Sequence, residues 1–378
     1  MLTQDRKSET RKVQVTGGSK EEGTYIVSLP KSWAKRAGLK AKSEIQLVPL
    51  DRYSLLVYTS ASPEAAKLTE SIVEIAKGVP TEDVVRNFIT QYLAGFDIIH
   101  MDLKHMNAEQ RVMVKESIRR LLIGAEIISE TTDRIVVQCF LGQANLPLLN
   151  ALDRMESLVR SMQNDAVIAL LENNVRLAEE VVQRDLEVDR FYFYIVRQLT
   201  AAIGRTDRIQ QMALSSAQAC LGYRQVVKSI ERAGDHATRV AAIASTTEIP
   251  DKSPIMSTFT KMHQLADTIF QDSLKALRSL DVPLAHKNIR RVNEVVQLED
   301  KGIRHLLSGK RPIETVLDLR LALESLRRIA EYGADISETA INLSVERQWP
   351  PTLQIEFQAT IGAEPSISII FCLATWTY

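Results

Sequence analysis

From about residue 147 to residue 345, apolar side chains recur at spacings of three and four, with few Gly or Pro between them. That period places the apolar positions on one stripe of a helix and predicts an almost wholly helical segment. The segment divides into two similar halves. Glu180-Val181-Val182-Gln183 recurs as Glu294-Val295-Val296-Gln297. Near the end of each half stands a related run, Glu231-Arg232-Ala233-Gly234-Asp235-His236-Ala237 and Arg327-Arg328-Ile329-Ala330-Glu331-Tyr332-Gly333. A repeat of about 100 residues, each holding three long helices, predicts two three-helix bundles over residues 148–345.

The first 58 residues follow a different period. Lys12-Val13-Gln14-Val15-Thr16 alternates, Gly17-Gly18 interrupts it, and Thr24-Tyr25-Ile26-Val27-Ser28-Leu29 is β-branched and aromatic. Pro30 then stands where a helix of about two turns starts, and Gly38 closes it. Ile45–Val48 and Leu55–Tyr58 predict two more strands around a turn at Asp51-Arg52. This β-β-α-β-β unit, residues 9–58, is too small to bury a good core alone, and such units complete their core with a second copy.

Residues 62–145 predict a compact α+β connector. Ser62–Lys77 shows a helical pattern that stops at Gly78-Val79-Pro80, and Thr81-Glu82-Asp83 starts a helix through Tyr92. Asp97–Met101 is a short strand, Asn107–Leu122 an amphipathic helix, and Glu126–Glu130 and Arg134–Phe140 a hairpin. No chemical motif falls in this unit. Residues 346–378 form an atypical tail, in which Pro350-Pro351 ends the helix and Ile367–Tyr378 is apolar and β-prone.

Composition adds little except in its distribution. Apolar residues are 45%, charged residues 25%, and the net charge is zero. Residues 1–52 nevertheless hold eleven basic and six acidic residues, so this segment is +5 and the remainder −5. A basic end suits an anionic partner such as nucleic acid, and equally a solvated surface. The three cysteines, Cys139, Cys220 and Cys372, are far apart and form no CxxC pair, which suits a reducing compartment. MLTQDRKSETRK has no apolar stretch of the secretory kind, and no apolar run nears the ~18 residues of a membrane span. A cytoplasmic protein without direct membrane insertion is expected.

The candidate chemistry lies in carboxylates. Asp185 and Asp189 are four apart and share a helix face, as do Glu231 and Asp235, with His236 alongside. Like charges brought together from two helices repel unless a cation lies between them, so the pattern suits a multi-oxygen site for iron, zinc, manganese or magnesium. The second half offers Glu299 and Asp300 on one helix and Glu331 and Asp335 on another. Acidic pairs also arise on solvated helix faces, and recurrence in both halves is what favours a site. No Walker loop, GxSxG or HExxH occurs, and His236 directly after Asp235 does not reproduce the Glu-x-x-His of di-iron bundles, so no enzyme is expected. In the basic segment, Arg11, Lys12, Lys20, Lys31, Lys35 and Arg36 are the candidate phosphate-backbone contacts.

Two resemblances follow from these residues. Lys12–Thr16, Gly17-Gly18, and Thr24–Trp33 followed by Ala37-Gly38-Leu39 resemble the AbrB/SpoVT family. That resemblance implies a swapped-hairpin β-barrel homodimer that binds DNA. Residues 148–345 resemble the PhoU family, on Glu231–Ala237 together with Asp185 and Asp189. It implies multinuclear metal clusters on the bundle surface and a role restraining phosphate uptake, with the phosphate ABC transporter and its sensor kinase as partners. The second half departs from the pattern, with Arg327 and Glu331 where the first has Glu231 and Asp235, and Ile303 where a second aspartate is expected. A head and body so combined resemble archaeal-type phosphate regulators. The expectation is a DNA-binding regulator of phosphate homeostasis whose body senses metal, phosphate or a transporter partner; the alternative is an adaptor that restrains the transporter without touching DNA.

Overall fold

The computed structural model describes residues 9–17, 24–49, 55–59, 68–140, 146–203, 206–249, 254–309 and 311–346. Lys20, Cys372 and the tail from residue 347 lie outside them. The chain divides into two compact units, one of residues 1–119 and 124–144, the other of residues 120–123 and 145–378.

In the first unit, β1 (Gln14–Thr16) pairs antiparallel with β2 (Thr24–Ile26), α1 (Lys31–Arg36) follows, and β3 (Ile45–Pro49) pairs antiparallel with β4 (Leu55–Thr59). Gly38, at φ 65°, ends α1 in the left-handed region that glycine enters without strain. Among the described residues the two hairpins are separate two-stranded sheets. No described side chain of this head is buried. Val13, Tyr25, Val27, Leu47 and Leu55 are each more than half exposed among the described residues.

The connector is built on a four-stranded sheet. Its elements are β5 (Glu70–Val73), α2 (Thr81–Leu93), β6 (Ile98–Asp102), α3 (Ala108–Leu121), β7 (Ala125–Glu130) and β8 (Arg134–Cys139), in sheet order β5-β6-β8-β7. The parallel β5–β6 pair makes β5-α2-β6 a crossover unit, while β8 runs antiparallel to both its neighbours. Val84, Phe88 and Tyr92 of α2, Val114 and Ile118 of α3, and Ile99, Met101, Ile135 and Val137 of the sheet form the core. The strand β5 replaces the later part of the helix expected over Ser62–Lys77; residues 61–67 of that stretch lie outside the described ones. No side chain caps α2, whose start is set by Pro80. Asn107 does cap α3, accepting from Gln110 N at 2.9 Å while Gln110 Oε1 accepts from Asn107 N at 3.0 Å, a reciprocal box.

Among the described residues the second unit is built from helices. Its first repeat is α4 (Leu148–Leu171), α5 (Val175–Ala202) and α7 (Ala217–Ala244), with a short unforeseen α6 (Thr206–Gln211) between the last two. The second is α8 (Pro254–Ser279), α9 (Val282–Ser308) and α10 (Ile313–Glu346). The turns inside the repeats match: α5 is capped by Asn174 and α9 by Asp281, and the residue before each cap, Asn173 or Leu280, stands at φ 53°. Packing between α7 and α10 and between α4 and α8 joins the repeats. Gly333 lies so close to α8 that an added Cβ would stand 3.2 Å from the Phe270 Cα. Among the described residues, no helix is long and apolar enough to cross a membrane.

Candidate functional site

In the first repeat, α5 presents Asp185 and Asp189 one turn apart toward α7, which presents Glu231 and Asp235. Gly234 lies in that contact, where a Cβ would meet Val188 of α5 and Val159 of α4 at 3.4 Å. The carboxylates feel one another. Burial, and then the charges of Asp185, Glu231 and Asp235, push Asp189 up to about 7. Burial, followed by Glu231 and Asp185, pushes Asp235 up to about 6, although the residue as a whole is exposed. Asp185 is raised by burial, against a hydrogen bond donated by Thr238 Oγ1 at 3.1 Å.

Among the described residues, Lys228 bonds this group and Arg232 acts on Asp235 through its charge. Lys228 Nζ donates to both oxygens of Glu231 at 2.6 Å and lies 5.1 Å from the Tyr192 ring centre. Asp189 and Asp235 accept no hydrogen bond among the described residues. Four carboxylates facing Lys228 and the more distant Arg232 are therefore undercompensated, which is the charge state that a bound cation relieves. As placed, no three His, Cys, Asp or Glu side chains among the described residues are gathered around a single point that could hold a metal ion. The donor chemistry fits a hard cation; closing upon one would require side-chain movement.

His236 does not join this group. Its ring turns to the second repeat, 5.7 Å from that of Tyr332, and burial followed by the charges of Arg239 and Arg328 pushes it down to about 4. Its Nδ1 is buried without a hydrogen-bond partner. Consecutive residues on a helix point about 100° apart, so His236 cannot share the face of Asp235.

The second repeat arranges its residues differently. Glu299 is buried, and Arg327 Nε donates to its carboxylate at 2.7 Å. Arg327 also binds Glu331, whose other oxygen accepts from Arg328 at 2.6 Å. Burial raises Glu299, against the opposing pull of Arg327. Asp300 is exposed, and Asp335 lines a cavity of about 430 Å³ with Tyr192, Lys228 and Arg232 instead of facing Glu299. The structure thus does not gather Glu299, Asp300, Glu331 and Asp335 into one carboxylate cluster. Lys228 and Thr238 were not anticipated; the i,i+3 spacing of Lys228 to Glu231 is the signal that marks the first.

Of the basic candidates of the head, Arg11, Lys12, Lys31, Lys35 and Arg36 are exposed, and Lys20 lies outside the described residues. Arg11 and Lys12 precede β1, and Arg11 is paired with Glu9. Lys31, Lys35 and Arg36 lie on α1, with Lys31 and Lys35 on one face.

The helical unit has known counterparts. The model of the PhoU domain family matches residues 152–244 and 259–340, one match to each repeat. The phosphate-specific transport system accessory protein PhoU homologue of Pseudomonas putida is 27% identical over 197 residues, which cover 50% of this chain and 74% of that protein. Its counterpart in Aquifex aeolicus is 29% identical over 197 residues, covering 50% and 86%. Among solved structures, PhoU from Pseudomonas aeruginosa has 26% sequence identity and a TM-score of 0.48, covering 53% of this chain and 96% of its own. Both three-helix repeats of this chain are therefore similar to the PhoU domain, and the head and connector lie outside the matched residues.

Proposed function

We propose that this chain regulates phosphate uptake, with the helical unit as the part that reads phosphate status and the head as a DNA-binding dimer. The observation that carries the phosphate assignment is the double PhoU-domain match, supported by relatives named as accessory proteins of phosphate transport. A bound divalent or trivalent ion would be held by Asp185, Asp189, Glu231 and Asp235, and its contribution is to cancel their mutual repulsion. With the repulsion cancelled, α5 and α7 hold one spacing; without it they are pushed apart. A ligand shifts such an equilibrium only by its difference in affinity for the two states.

For the head, support comes from the uncovered apolar faces of two unjoined hairpins. A second copy would bury Val13, Tyr25, Val27, Leu47 and Leu55 and present Arg11, Lys12, Lys31, Lys35 and Arg36 twice. Doubled basic residues suit a symmetric duplex site. The test is a DNA-binding titration against salt. The regulator predicts a steep loss of affinity as salt rises, a sequence preference above nonspecific binding, and a shallower salt slope in Arg11→Ala/Lys12→Ala. Salt-independent or absent binding would remove the DNA role.

A second reading, an adaptor that restrains the phosphate transporter while the head only pairs chains, is favoured by the names of the relatives and by their matching only the helical half. Co-purification with a phosphate transporter by a variant lacking residues 1–58 supports it.

A further inference from the structure

We propose that Arg327 is a tethered counter-ion that closes the second repeat to metal, so that this repeat keeps its shape without any bound cation. The repeat alignment sets Glu299 opposite Asp185 and places Arg327 at the position of Glu231, with Glu331 at that of Asp235. A carboxylate position in one repeat is thus a guanidinium in the other. Arg327 then does what an ion between two helices does: it bonds Glu299 of α9 at 2.7 Å and Glu331 of its own helix.

Charge and space agree. The first repeat sets Asp185, Asp189, Glu231 and Asp235 against Lys228, which bonds only Glu231, and the more distant charge of Arg232. The second pairs Glu299 and Glu331 directly with Arg327 and Arg328, while Glu324 and Asp300 add weaker negative charge and Glu324 is itself paired with Arg320. A cation reaching Glu299 would have to displace the guanidinium that already bonds it and Glu331. The helices also touch beside it. Gly302 is one turn from Glu299, and a Cβ there would stand 2.7 Å from Leu323, one turn before Arg327. Arginine stays charged throughout the pH range of a folded protein, so no ordinary condition empties the position.

The inference extends the metal reading of the first repeat, and one experiment separates the two. Hydrogen exchange of the full chain is followed helix by helix, in EDTA and in Mn²⁺, for the wild type and for Arg327→Ala. In the wild type, α9 and α10 should exchange alike in both conditions. In Arg327→Ala, their exchange in EDTA should rise at least about tenfold, and Mn²⁺ should slow it again. Arg327→Met, which keeps the apolar stem, serves if the alanine variant does not fold. Protection of α9 and α10 by Mn²⁺ in the wild type would overturn the proposal, as would a variant whose α9 and α10 exchange at wild-type rates. If α5 and α7 of the wild type ignore Mn²⁺ while the variant's α9 and α10 respond, the metal reading of the first repeat fails and the role of Arg327 stands.

Discussion

Arg160 of α4 grips Asp267 of α8 through two parallel bonds, Nε to Oδ1 at 2.8 Å and Nη2 to Oδ2 at 3.0 Å. This fork fastens the first helix of one repeat to the first helix of the other. Both side chains are about 30% exposed, so solvent screens part of their attraction. Arg160→Ala should cost about 1 kcal/mol, and a double-mutant cycle with Asp267→Ala should return a coupling of similar size by urea denaturation. A coupling indistinguishable from zero would show that the fork is a surface contact without energetic weight.

Stability should depend on pH through the carboxylates of α5 and α7. In the unfolded chain Asp189 ionises near its ordinary value of about 4, whereas in the folded chain it holds its proton up to about 7. The unfolded state therefore loses this proton first, and folded stability declines as pH rises between those values. Asp235, pushed up to about 6, acts in the same direction over the lower part of the window. His236, pushed down to about 4, works in the opposite direction below about 6.5, so the part of Asp189 is read by variant: in EDTA, the melting temperature at pH 5 minus that at pH 8 should be smaller for Asp189→Asn than for the wild type. A variant with an equal or larger difference contradicts the assignment.

Asn173 and Leu280 occupy the same left-handed turn position, at φ 53°, but only asparagine tolerates it well. The side chain of Asn173 also binds the Ile249 backbone twice, donating at 3.0 Å and accepting at 2.8 Å. Asn173→Ala should cost about 2 kcal/mol, from two lost bonds and backbone strain. Leu280→Asn should gain up to about 1 kcal/mol. Thermal melts of the two variants should move in opposite directions.

Gly333→Ala tests the contact of α8 with α10. The new methyl would stand 3.0 Å from Ile269 Cγ2 and 3.2 Å from both the Phe270 Cα and Ser273 Oγ, and backbone cannot step aside as a side chain tip can. A loss of about 1–3 kcal/mol is expected, although alanine is the better helix former. A variant as stable as the parent would mean that α10 can shift along α8 freely.

Much of this arrangement is written in local pattern. The repeated Glu-Val-Val-Gln runs aligned the two helical repeats, and the hairpin of β7 and β8 stood out because its strands are adjacent in sequence. Strand β5 did not, since its partner β6 lies across a whole helix and Glu70–Val73 carries no turn signal before it. In the candidate site, residues one turn apart were legible and consecutive ones were misleading. Glu299 is buried while Asp300 is exposed, and Asp235 faces α5 while His236 faces α10. Helix geometry alone separates such neighbours by about 100°. The grip of Arg327 on Glu299 was not legible at all, because 28 residues of chain and a helix-to-helix packing decide it.

On the paired, DNA-binding head proposed above, hairpins that bury none of their described side chains make the protein's own dosage part of its chemistry. A barrel completed only by a twin forms in proportion to the square of the free chain in dilute solution, so halving supply leaves about a quarter of the paired form. A cell carrying such a protein could silence a promoter by degrading a modest share of it, with no change in any ligand.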